Sequence, residues 1–171
     1  MQIVPDTKDW THVLSQPCTA CGFDAAAVDR DRLGATVRAQ AVAWREVLRR
    51  DDARARPEQQ TWSPLEYTCH VRDVHLLFAE RIRLMLAEDD PRLANWDQDE
   101  TAEAARYAEQ DPTTVDGELV TAAEDIAAVF DGLTERDWDR PGRRSNGSVF
   151  TVDSLSRYYL HDVVHHLHDV C

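Results

Sequence analysis

Lysine is almost absent from this chain: Lys8 is the only one, and every other basic residue is arginine. Glycine and proline are also sparse, at 6 and 7 in 171 residues, which argues against an architecture of many short strands and tight turns. Positive charge is in deficit. A formal net charge of −13 repels phosphate backbones and anionic membrane surfaces, so nucleic acid and membrane are not expected partners. No apolar run approaches the ~20 residues that span a bilayer. The opening stretch, Met1 to Trp10, has no apolar segment of the kind an export signal carries, so a cytoplasmic location is the expectation. A zinc ribbon would need a second pair to match Cys18-Thr-Ala-Cys21, and there is none; the βαβ context of a thioredoxin-like motif is missing too. Cys69 and Cys171 are the remaining cysteines, and in a reducing compartment no disulfide framework is expected. The Cys18/Cys21 pair reads as a local loop feature or an adventitious disulfide, with a metal or redox role as the alternative.

What is present points to helices. The length suits one domain with a real core, and long stretches are rich in Ala, Leu, Arg and Glu. Residues 1–23 read as an irregular N-terminal segment, punctuated by Pro5, Pro17 and Gly22, and residues 24–171 as the helical domain. A first helix is expected from near Asp24 or Asp29 to about Arg50. The second has the clearest start: Trp62-Ser63-Pro64-Leu65-Glu66-Tyr67 places an N-cap at Ser63, proline at N1 and a capping-box Glu66 at N3. Trp62 is placed to staple onto Tyr67. That helix runs to about Ala87, with Pro91 as its stop. A short helix is expected around Glu100 to Glu109 and a long one over Thr113 to Asp131. Asn146-Gly147 suits a tight hairpin turn. A last helix follows an N-cap at Thr151. Four long helices in one domain make an all-α four-helix bundle.

Six of the seven histidines lie on the second and last helices. His161 and His165, four apart, lie about 40° from each other on one helix face, and such a pair can point at one ion. Their neighbours Leu160, Val163, Val164 and Leu167 turn them toward the interior. His161-Asp-Val-Val-His165 looks superficially like the HExxH of metalloproteases, but only six residues follow His165, too few for the usual downstream ligand. A third ligand should therefore come from another helix. His168 is about 10.5 Å of helix rise from His161 and meets it poorly, and His166 points away. On the second helix His70 and His75 point about 140° apart, and periodicity does not choose between them. Asp162 is expected on the surface, with orientation of a ligand as its alternative, and Tyr158 in the core, with a place in the pocket wall as its alternative.

The stretch Trp62-Ser63-Pro64-Leu65-Glu66-Tyr67-Thr68-Cys69-His70, followed about ninety positions later by Tyr158-Tyr159-Leu160-His161-Asp162-Val163-Val164-His165-His166, resembles the DinB/YfiT superfamily. The resemblance implies a DinB-like four-helix bundle with a divalent metal held by His70, His161 and His165. Zinc and nickel both suit imidazole ligands. It further implies a metal-dependent transferase that activates a low-molecular-weight thiol, of the mycothiol or bacillithiol type, towards an electrophilic small-molecule substrate. A metal-dependent hydrolase with metal-bound hydroxide as nucleophile, and a metal-stabilised binding protein without turnover, are the alternatives. Catalytic residues are not named by this resemblance, and a homodimer is left open.

Overall fold

The computed structural model describes Ile3 and residues 8–171. Five α-helices dominate: α1 Leu33–Leu48, α2 Pro64–Ala87, α3 Gln98–Ala104, α4 Pro112–Asp131 and α5 Val152–Val170. α4 packs on α1 and α2, and α5 on α2 and α1, which closes four long helices around one core. The core takes Trp44 from α1, Val74, Phe78 and Ile82 from α2, Leu119 and Ile126 from α4, and Leu155 and Tyr159 from α5. The Trp44 indole is paired within it, Nε1 donating to the Val163 carbonyl at 3.3 Å. No helix among the described residues is long and apolar enough to cross a membrane.

The start of α2 forms as its sequence dictates. Ser63 accepts from the Glu66 amide at 3.3 Å, and Glu66 reaches back to the Ser63 amide at 2.9 Å. The Trp62 and Tyr67 rings meet at 5.4 Å. α1, in contrast, starts later than expected. The Asp24 and Asp29 side chains do cap, but each caps only a single 3-10 turn, Ala25–Ala27 and Arg30–Arg32. The expected short helix is divided between α3 and a 3-10 turn at Tyr107–Glu109, with Arg106 in left-handed conformation between them. The N-terminal segment carries a 3-10 turn as well, Trp10–Leu14, capped by Asp9.

A three-stranded sheet orients α5. Strands β2 (Pro141–Arg144) and β3 (Val149–Thr151) pair antiparallel, and β1 (Arg92–Leu93) pairs parallel to β2. Gly147, at φ +91°, makes the turn between β2 and β3. Thr151 then ends β3 and caps α5, exchanging hydrogen bonds with Ser154 at 2.9 and 3.1 Å. The helix that carries most of the histidines is thus fixed at its first residue.

Candidate metal centre

α5 delivers four polar side chains to one end of the bundle. His161 and His165, one turn apart, place their ring centroids 5.0 Å from each other. Asp162 and His166, the next turn of the spiral, face α2 and meet His70. The His70 Nε2–H donates to Asp162 Oδ1 at 3.2 Å, and the His70 and His166 rings lie 4.8 Å apart. The three histidines implied by the resemblance are therefore divided. His161 and His165 lie together, and His70 is grouped with Asp162 and His166.

The N-terminal segment supplies what sequence reasoning left aside. Cys18, Cys21, His161 and His165 each place a ligand atom within 4.8 Å of the others. Cys18 Sγ lies 3.6 Å from His165 Nδ1. The local fold makes this position. The Cys18 amide donates to the Phe23 carbonyl at 2.8 Å, and the Gly22 amide to the Cys18 carbonyl at 2.9 Å. Gly22 sits at φ +75°, where a side chain would be strained. Arg157 of α5 pairs with Asp153 and donates to the carbonyls of Ala25 and Val28, which holds the segment against the helix. Trp10 packs on both histidines, at 5.3 and 4.7 Å, and Phe23 on His161 at 5.4 Å. One signal for this grouping was present in the sequence. Cys-x2-Cys and His-x3-His are each ligand spacings of Cys2His2 zinc sites, although here the bundle separates them.

Protonation favours ligation. Burial, reinforced by His165, holds the His161 imidazole down at about 4. Burial also lowers His70 and His165. All three are thus neutral near pH 7, the form that binds metals. Burial would push the Asp162 carboxyl up, but the hydrogen bond from His70 and the surrounding histidines hold it at about 2. The Cys18 thiol is drawn below its ordinary value: burial opposes the thiolate, but the backbone N–H groups of Cys21 and Ala20 outweigh it. Burial raises Cys21. His75 joins neither group. It turns into the core, where the Tyr159 hydroxyl donates to its Nδ1 at 2.7 Å.

His161, His165 and His166 open on a cleft of about 860 Å³, walled by Trp10, Trp62, Tyr67, Trp96 and Tyr158, whereas His70 is fully buried beside it. Tyr158 thus serves the cleft as well as the core, where it meets Phe150 at 5.5 Å. Asp162, expected on the surface, instead links His70 to α5, with a quarter of its side chain exposed.

Four helices closed on an apolar core, with an i, i+4 histidine pair facing a cleft, define a bundle that presents metal-ligating groups at one end. The DinB superfamily matches residues 34–170, and the chain belongs to that superfamily. It is similar in structure to YfiT from Bacillus subtilis, with a TM-score of 0.73 and 17% identity over 82% of this chain and 85% of that one. YfiT is described as a probable metal-dependent hydrolase with an unusual four-helix bundle topology. At that identity the likeness bears on the fold. No curated protein matches the sequence. Cys18 and Cys21 lie outside the residues matched to the superfamily.

Proposed function

We propose that this DinB-superfamily chain is a divalent-metal-dependent enzyme acting on a small molecule in the cleft, with His70, His161 and His165 as the histidines of its metal centre. One observation carries the reading. Of three buried ring nitrogens without a hydrogen-bond partner among the described residues, His161 Nε2 and His70 Nδ1 belong to these histidines, and the third, His75 Nε2, lies in the core. Each such group costs about 1–3 kcal/mol when left unpaired, and an ion would satisfy the first two. The neutral imidazoles fit zinc or nickel. When bound, such an ion lowers the pKa of a thiol or water and stabilises developing negative charge.

The chain's own residues do the rest. Asp162 fixes the orientation of the His70 ring through the hydrogen bond at 3.2 Å. Trp62 and Trp96 pack on the His70 ring at 5.3 and 5.4 Å and keep water from it. Asp97, Asp99, Asp162 and Asp169 line the cleft, so a neutral or cationic molecule suits it better than an anion. Within this reading, transfer of a low-molecular-weight thiol to an electrophile is the favoured reaction. The affinity of zinc or nickel on imidazole ligands for thiolate supports it. The description of YfiT favours hydrolysis, with water as nucleophile, as a second reading.

The test is metal content by mass spectrometry on tag-free protein, wild type beside His161→Ala. Near-stoichiometric zinc or nickel, lost in the variant, is expected. A wild type that stays metal-free after reconstitution removes the basis for the proposal.

A further inference from the structure

We propose that Cys18 and Cys21 join His161 and His165 as the four ligands of one soft divalent ion, zinc by preference, that fastens the N-terminal segment to α5. The inference rests on the reading that the α5 pair holds an ion. It departs from the three-histidine reading by giving the other two positions to sulfur: four protein ligands close the tetrahedron, so this ion is structural, and His70, which meets Asp162 and His166 instead, lies outside it.

Geometry is the first support. Zinc bonds of about 2.3 Å to sulfur and about 2.0 Å to nitrogen, at a tetrahedral angle, set adjacent S and N ligands about 3.5 Å apart. Cys18 Sγ and His165 Nδ1 stand 3.6 Å apart. All four donor atoms fall within 4.8 Å of one another, a spread that small side-chain rotations close. The free nitrogens are the right ones. His161 Nε2 is buried without a partner, and His165 turns Nδ1 to the cysteine while Nε2 lies toward Asp169.

The backbone is the second support. The turn from Cys18 to Phe23 is closed by the Cys18 amide on the Phe23 carbonyl at 2.8 Å and the Gly22 amide on the Cys18 carbonyl at 2.9 Å, which holds both cysteines at the histidine pair. Two thiolates would balance the charge of a divalent ion in a buried place. The donor set also selects the ion, because thiolate with imidazole suits zinc, whereas magnesium and calcium take oxygen ligands. A local loop feature would not explain why both cysteines converge on the only HxxxH pair in the chain.

Zinc-edge X-ray absorption on reduced, zinc-loaded wild type tests the inference without any variant. Two sulfurs at about 2.3 Å and two nitrogens at about 2.0 Å are expected. A shell of nitrogen and oxygen alone overturns the inference and leaves the enzymatic reading standing; failure to bind zinc overturns both. Cys18→Ser/Cys21→Ser should lose zinc and become open to proteolysis before α1, whereas His70→Ala should keep both zinc and the sulfur shell. Wild-type zinc content in the double cysteine variant, or loss of zinc in His70→Ala alone, would also refute it. Should the double variant fail to fold, the absorption spectrum of the wild type still decides.

Discussion

Lowering the pH should destabilise this protein through His75, a histidine with no part in the metal centre. Its side chain is fully buried in α2, its Nδ1 accepts from Tyr159 at 2.7 Å, and its Nε2 has no partner among the described residues. Burial holds it down to about 3, against a weaker upward pull from Asp162. In the unfolded chain the group titrates near 6.5. Between those values the unfolded state takes a proton that the native state refuses. The stability gained from burying neutral imidazole is therefore intact above about pH 6.5 and drains away as the pH falls toward 3. At pH 5 the gap spans about 1.5 units, at about 1.4 kcal/mol each, or about 2 kcal/mol. Urea unfolding at pH 7.5 and pH 5, on wild type and His75→Gln, reads this out. Glutamine keeps an acceptor for Tyr159 and cannot titrate. The wild type should lose about 2 kcal/mol more than the variant across the interval. Equal losses would refute a neutral, buried His75.

Three further outcomes follow from packing and capping. Gly34→Ala would bring a Cβ to 2.9 Å from the Ala127 carbonyl oxygen and 2.1 Å from Asp131 Oδ1, where α1 crosses α4. Overpacking of this kind costs about 1–3 kcal/mol, more than the about 1 kcal/mol that alanine gains in helix propensity, so the melting temperature should drop by a few degrees. Ser63→Ala removes the acceptor of the Glu66 amide and should cost about 1 kcal/mol in denaturant unfolding, with Ser63→Thr restoring most of it. Tyr159→Phe leaves His75 without its donor and should cost about 1 kcal/mol or more, whereas Tyr158→Phe, on the cleft wall, should leave stability close to wild type.

The features legible from sequence are those decided within a few residues. The Ser63–Glu66 capping box and the Trp62–Tyr67 staple are complete within six positions, and α2 begins where they predict. Asp24 and Asp29 show the limit of the same rule. A capping aspartate marks the start of a turn, and the residues that follow decide whether that turn continues as an α-helix. The two-faced character of α5 was half visible. Spacing put His161 and His165 on one face, but the partner of each face depends on what packs there. Asp162 faces α2 and His70, while the pair faces a non-helical segment with no periodicity to read. His75 and His70 could not be separated by period for the same reason. The choice is made by Tyr159, which reaches into the core from the other helix.

Cys18 and His165 are 147 positions apart, and this has a consequence for the protein's synthesis. At about 5–20 residues per second, roughly 7–30 s pass between the emergence of the cysteine turn from the ribosome and that of the helix it packs on. For that interval both thiols belong to a nascent chain with no partner for them, open to oxidation or to capture by other metals. Cys18 is buried only once α5 has been made, so its protection waits on a helix encoded far downstream.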